Sequence, residues 1–160
     1  MFWKHDTFKS RLFSEKTFYA QFFKDLNNCK QEVIIESPYI TASRIEILIP
    51  TFQRLLDKNR KITIVTRDPS EQQEEYLKHQ STNEILHCSE IGINLVLEKG
   101  FHHRKIAIID RQILWEGSLN ILSHSSSKEI MRRIEGEGLA KEMFNFLQLN
   151  KLIKLDVLIQ

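Results

Sequence analysis

Cysteine is scarce in this chain. Cys29 and Cys88 are the only two in 160 residues, and no C-x-x-C spacing exists. That excludes a disulfide framework and a paired-thiolate zinc knuckle, and it points to a reducing compartment, the cytoplasm. With five glycines and three prolines, no stretch reads as a flexible linker or a low-complexity tract. Neither sign of charge prevails: 23 Lys and Arg against 21 Asp and Glu leave a formal +2. Bulk charge therefore gives no argument for a nucleic-acid partner, and local placement must carry that case. No apolar run approaches the roughly 18–20 residues of a membrane span. The opening "MFWKHDTFKSRLF" is too densely charged for a signal-peptide core. What remains is a globular composition, 41% hydrophobic. It suits one domain over residues 1–160, with a core from about 15 to 150 and residues 1–13 as a possible N-terminal arm.

Apolar spacing gives the order of elements. Phe18, Phe22, Phe23 and Leu26 recur at helical period after a Ser14 N-cap. "EVIIESPYI" reads as a buried strand stopped by Pro38. Ser43 to Leu56 return to helical period, and Pro50 inside that run predicts a kink or break near Ile49. "KITIVT" is a strand and "RDPS" a loop. A polar helix follows, with Tyr76, Leu77, Ile85, Leu86 and Ile91 as its buried stripe and Gly92 as its C′ cap. "INLVLE", "KIAIID", "QILWEG" and "EIMRRIE" are further strands, the middle pair joined by a tight turn at 110–112. "GLAKEMFNFLQLNKLI" closes the chain as one amphipathic helix. The pattern predicts an α/β fold: a mixed, largely parallel β-sheet flanked by helices.

The segment "FHHRKIAIIDRQILWEGSLN" (101–120) concentrates polar, chemically able side chains at the edges of buried-looking strands. His103, Lys105, Ala107 and Ile109 share one face of an extended chain, and Arg104, Ile106 and Ile108 the other. His103 and Lys105 are thus same-face neighbours about 7 Å apart. A hairpin would return Ser118 and Asn120 beside them. An imidazole, an ammonium, a hydroxyl and a carboxamide on one spot suit a phosphodiester. The ammonium meets a non-bridging oxygen, the amides face developing charge, and the imidazole acts as nucleophile or general acid. His102 faces away from His103 on an alternating strand.

His103-x-Lys105, Asp110, Gly117-Ser118 and Asn120, at these spacings, resemble the HKD signature of the phospholipase D superfamily. The wider chain from about 15 to 150 is similar to a small phospholipase-D-like nuclease domain, including "IIESPYI", "IVTRDP" and the C-terminal helix. The resemblance implies a phospholipase-D-like fold and a two-step reaction through a phosphohistidine, with neither metal nor other cofactor. It implies His103, Lys105, Asn120 and Asp110 as catalytic residues, with Lys105, Ser118 and Asn120 binding phosphate. Glu129 fits the family's acidic residue that orients the histidine. Two such motifs are needed and this chain has one. A two-fold homodimer completing one shared site follows from the resemblance.

Plainer roles stand beside these. Asp110 can fix the turn, Ser118 can be a small loop residue, and Glu129 an ordinary surface glutamate. Arg104, Arg111, Lys128, Arg132 and Arg133, with Lys99, form either a phosphate-tracking rim or a solvated face. Tyr39 and Trp115 either stack bases or fill the core. His102, Asp110, His87 and Cys88 match no usual metal-ligand spacing. The reading is a metal-independent phosphodiesterase, an endonuclease acting on DNA more than RNA, with no membrane partner. The alternatives are a phospholipid hydrolase or phosphatidyltransferase, and a non-catalytic nucleic-acid-binding module beside a partner or fused helicase or restriction protein.

Overall fold

The two faces of "IAII" face two different cores, and this sets the architecture. In the computed structural model, which describes residues 7–156, these four residues form strand β5 (Ile106–Ile109), buried along its whole length. Ala107 and Ile109 join one apolar cluster, Ile106 and Ile108 the other. The period-2 alternation has become a sheet covered on both faces.

The strands are β1 (Lys9–Ser14), β2 (Glu32–Glu36), β3 (Lys61–Arg67), β4 (Asn94–Glu98), β5, β6 (Ile113–Gly117) and β7 (Ile130–Glu135). They form a seven-stranded sheet in the order β1-β7-β6-β5-β2-β3-β4. Helices α1 (Phe18–Asn27), α2 (Ala42–Asp57) and α3 (Glu75–Glu90) supply residues to the first core, and α4 (Glu137–Phe146) and α5 (Leu149–Asp156) to the second. The α/β class and the mixed sheet agree with the sequence reading. The balance of pairings does not: β2–β3 and β3–β4 are parallel, whereas β1–β7, β7–β6, β6–β5 and β5–β2 are antiparallel. A tight turn joins β5 to β6, the loop 118–129 joins β6 to β7, and neither holds a crossover helix of the kind that parallel pairing requires.

Other local expectations are corrected. Residues 9–13 of the expected arm belong to the edge strand β1, paired with β7; residues 1–6 lie outside the described residues. Helix α2 runs unbroken through Pro50. Pro50 is exposed, so the carbonyl its ring leaves unpaired meets water. Tyr76, Leu77 and Leu86 of the expected stripe are exposed; Ile85 and Ile91 pack against the core as expected, with Ser81 and Cys88 buried beside them. Small residues let this polar helix lie close. Gly92 ends α3 at φ +104°, the left-handed cap its position suggested. The closing helix is two, divided where Gln148 takes φ +53°. Trp115 is fully buried, with its ring edge-on to Phe13 and Phe18; it is core, not a base platform.

Gly117, which ends β6, has no room for a side chain. A Cβ there would lie 2.1 Å from the Ile130 carbonyl oxygen and 2.8 Å from Met131 Sδ. The close approach of β6 to β7 requires glycine.

Candidate active site

Strand order and direction decide which motif residues meet. Parallel β2, β3 and β4 end their carboxyl ends on one side of the sheet. Antiparallel β5 begins there, since Ile106 pairs with Glu36 on β2 and Glu116 on β6. The start of β7 joins them, because Gly117 pairs with Met131. His103 and Lys105, just before β5, therefore emerge beside Glu36, Arg67, Ser118 and Glu129. Open α/β sheets bind ligands outside the carboxyl ends of their strands.

The loop carrying Asn120 is fastened to the same end. Leu122 N–H donates to Ser37 Oγ (3.2 Å), Thr41 N–H to the Leu122 carbonyl (3.0 Å), and Tyr19 O–H to the Ile121 carbonyl (2.7 Å). Leu119, Ile121 and Leu122 are buried beneath it. Asn120 is half-buried, and its Oδ1 is buried with no hydrogen-bond partner among the described residues. A buried acceptor left unpaired is unfavourable, and such groups concentrate where a ligand or a second surface completes them.

His103 is exposed. Lys105 Nζ lies 3.0 Å from its Nδ1 and donates to its carbonyl at 2.8 Å. The Lys105 charge, then partial burial and the Arg67 guanidinium, hold the imidazole below its ordinary pKa. Burial lowers Lys105 in turn, opposed by Glu129 and reinforced by Arg67. Ser118 pins β6 to β7: its N–H donates to the Ile130 carbonyl (2.9 Å) and its Oγ accepts from Ile130 N–H (3.1 Å). Glu129 accepts from Ser127 Oγ at 2.7 Å. Ser118, Ser127 and the Lys105 charge keep it below the ordinary carboxylate range. Glu15 closes this side, accepting the Glu129 N–H at 3.0 Å.

Asp110 is not in this group. It lies at the far end of β5, about 17 Å along the chain from Lys105. Its carboxylate accepts from the backbone N–H of Lys30 (2.8 Å), Gln31 (2.7 Å) and Glu32 (3.0 Å), and from the Cys29 thiol (3.4 Å). Partial burial raises its pKa, but those donors outweigh it and the net shift is downward. Asp110 and Arg111, at φ +54° and +52°, are left-handed residues of the turn 110–112, in which the Gln112 N–H donates to the Ile109 carbonyl at 3.0 Å.

The expected basic rim disperses. Arg104 Nε donates to fully buried Glu36 at 2.8 Å. Arg111 pairs with Glu32 at the far end and lies over the Phe144 ring. Arg133 grips buried Asp25 through Nε and Nη2, both 2.8 Å, while Trp115 Nε1 donates to the same carboxylate. Arg132 donates to Ser10 Oγ on β1, and Lys99 lies 3.9 Å from Asp68. Lys128 is exposed and within electrostatic reach of Glu15.

Sequence reasoning missed Arg67. At the carboxyl end of β3 its Nε and Nη2 donate to the His102 carbonyl (3.2 and 3.0 Å) and its Nη1 to Tyr39 Oη (3.3 Å). Its place at the end of a parallel strand was the available signal. Tyr39 is half-buried and meets the His103 ring edge-on at 6.5 Å. His102 is buried, with Nε2 3.8 Å from Glu36 Oε2. Burial, then the Arg104 and Arg67 charges, push it down to about 4, so it stays neutral. Burial raises Glu36 against the pull of Arg104. Among the described residues no three His, Cys, Asp or Glu side chains converge as a metal site, and no helix is long and apolar enough to cross a membrane.

Comparison with known proteins bears on the family and the fold. The family model described as "Cardiolipin synthase, PLD-like domain" matches residues 22–149. Among solved structures, the chain is similar to Nuc from Salmonella typhimurium, a phospholipase D family member. The TM-score is 0.72 at 15% identity, over 89% of this chain and 93% of that one. NucT from Helicobacter pylori also gives 0.72, at 18% identity over 92% and 97%. A phosphatidylserine synthase from Haemophilus influenzae Rd KW20 gives 0.65 at 16% identity, over 91% of this chain and 39% of that one. No curated protein sequence matches. The chain belongs to the phospholipase-D-like family, and its mixed seven-stranded sheet is that family's fold.

Proposed function

We propose that this protein is a metal-independent phosphodiesterase that hydrolyses nucleic acid, DNA before RNA, through a phosphohistidine on His103. The observation that carries this reading is the setting of His103: an exposed imidazole 3.0 Å from Lys105 Nζ, with Arg67 in electrostatic range. Two cations favour the neutral ring, which is the nucleophilic form, and they also attract a phosphate. In the first step a ring nitrogen of His103 bonds to phosphorus. The bond from phosphorus to the leaving oxygen breaks, and that oxygen takes a proton from His103 of a second copy. In the second step water attacks phosphorus, gives its proton to that second histidine, and the P–N bond breaks. Lys105 and Asn120 receive the phosphate oxygens; Glu129 and Ser118 hold the Lys105 side of the site. Asp110 serves the fold of the motif rather than its chemistry.

One motif supplies one histidine, so the site is shared by two chains about a two-fold axis. Asn120 Oδ1, unpaired among the described residues, and the Lys105 and Arg67 charges beside His103 fit a site completed by a partner and a substrate. The coupled histidines give a bell-shaped pH–rate profile. A second reading, phosphatidyl hydrolysis or transfer, is favoured by the description of the matching family model and the likeness to the synthase. Against it, the chain spans nearly all of Nuc and NucT but 39% of the synthase.

The test is cleavage of labelled single- and double-stranded DNA and RNA in EDTA, wild type beside His103→Ala, with sedimentation to establish the dimer. Cutting that survives chelation and vanishes in the variant is the expected result. A folded wild-type dimer that cuts no nucleic acid overturns the reading. Turnover of phosphatidyl substrates would then establish the lipid alternative, and salt-sensitive DNA binding without turnover a non-catalytic module.

A further inference from the structure

Phe101 stands two residues before His103 and is 71% exposed. Its backbone sits at φ +57°, a left-handed conformation that a bulky side chain rarely adopts. The preceding Gly100 already takes φ +90°, so a glycine at 101 would remove both the strain and the exposed ring. The conformation is instead held by a dedicated contact. The Glu71 carboxylate accepts the N–H of Gly100 at 2.7 Å and of Phe101 at 2.8 Å. An exposed apolar ring and a strained backbone are both unfavourable for folding, and strain of this kind collects at functional sites.

The neighbours say what the ring faces. The Arg67 guanidinium lies 6.0 Å from the Phe101 ring centre and 5.1 Å from that of Tyr39, while Tyr39 abuts His103. A presented ring, a cation and the nucleophile thus stand in sequence along the mouth of the site.

We infer that Phe101 is a stacking platform for an unpaired base next to the scissile phosphate, which makes single-stranded nucleic acid the preferred substrate. The inference rests on the phosphodiesterase reading and adds to it a specificity residue. A base offers its π-face to such a ring only when it is not stacked within a duplex, and aromatic platforms beside cationic grooves are the general solution for single strands. Glu71 is then a positioning residue, acting through the backbone it holds. The cation beneath the ring favours a nucleic acid over an acyl chain, which gains nothing from a guanidinium.

The test uses the full-length protein and oligonucleotides that carry either a base or an abasic residue beside the cleavage position. Wild type discriminates between them by about 5- to 100-fold in KM, the range of one stacked base. In Phe101→Ala that discrimination falls to within about twofold, and Phe101→Trp restores it. Glu71→Ala weakens it in part, with KM moving more than kcat. Phe101 is exposed, so folding of the Phe101 variants is checked by unchanged thermal unfolding, and that of Glu71→Ala by circular dichroism at the assay temperature. If Phe101→Ala discriminates as wild type does while His103→Ala is inactive, the nuclease reading stands and the platform is overturned. If wild type cuts no nucleic acid but binds anionic phospholipid vesicles through Phe101, both readings fall and the ring is a membrane contact.

Discussion

The two ends of strand β5 belong to one sequence motif and do opposite things. At the far end, Asp110 accepts three backbone N–H groups and a thiol, and every oxygen it presents is occupied. At the near end, His103 is exposed, Lys105 leans on it, and Asn120 Oδ1 has no partner among the described residues. One end is complete within the chain; the other is complete only with something added. Four buried residues separate them. A fixed-spacing motif thus mixes residues that shape the hairpin with residues that the hairpin presents.

Single substitutions should break this contrast cleanly. His103→Ala is expected to lower turnover on the order of 10⁴-fold or more, as loss of a nucleophile does, while leaving the unfolding midpoint close to wild type because the ring is exposed. Asp110→Ala is the mirror image. It should lower stability by about 1.5–3 kcal/mol, the scale of charge-assisted hydrogen bonds, seen as a lower urea midpoint. Its kcat/KM under native conditions should stay within about threefold of wild type. A large loss of turnover from a fully folded Asp110→Ala protein would erase the distinction between the two ends.

The buried layer under the near end gives a smaller, pH-dependent effect. His102 is held neutral, with its pKa pushed down to about 4 from an unfolded value near 6.5. A histidine depressed in the folded state adds stability above its unfolded pKa. That stability is lost as pH falls from about 6.5 toward about 4, because the unfolded chain binds the proton first. Glu36, raised by burial, acts in the opposite sense: its contribution is lost as pH rises. Comparing His102→Leu with wild type isolates the histidine. Wild type should lose about 2 kcal/mol more than the variant across that window, measured by denaturant unfolding. Equal losses would place His102 outside the acid response.

The smallest effect sharpens the electrostatics. Arg67→Gln removes a cation that helps hold His103 down, so the His103 titration, followed by NMR, should move upward. An unmoved titration would leave Lys105 and partial burial as the causes.

Much of this was legible along the chain. β2 to β7 follow from apolar runs and alternation, because each is buried on one or both faces. The His103, Lys105 and Asn120 positions stood out because polar residues interrupt those runs at fixed intervals. Strand β1 was not legible: "KSRLFS" buries only Phe13 well, and its partner β7 lies far along the chain. Arg133 looked like a free surface cation because nothing near it in sequence reveals Asp25, which waits on α1 across the sheet. Trp115 looked available for stacking because a buried indole needs a hydrogen-bond acceptor, and Asp25 supplies it only in three dimensions.

By itself, the sequence determined the alternation of β5, the turn at 110–112, the glycine at 117 and the spacing of the polar set, since these depend on local geometry and on residues a few positions apart. Only the tertiary structure decided which of them share a site. Antiparallel insertion of β5 beside parallel β2 brings the His103 end to the carboxyl ends of β2, β3 and β4 and sends Asp110 to the other side. That same choice gives Arg67 its place, ties Arg104 to Glu36 at the same end, and takes Arg111 and Arg133 away. Charge pairing and burial depend on neighbours that strand order selects, and strand order is a property of the whole sheet.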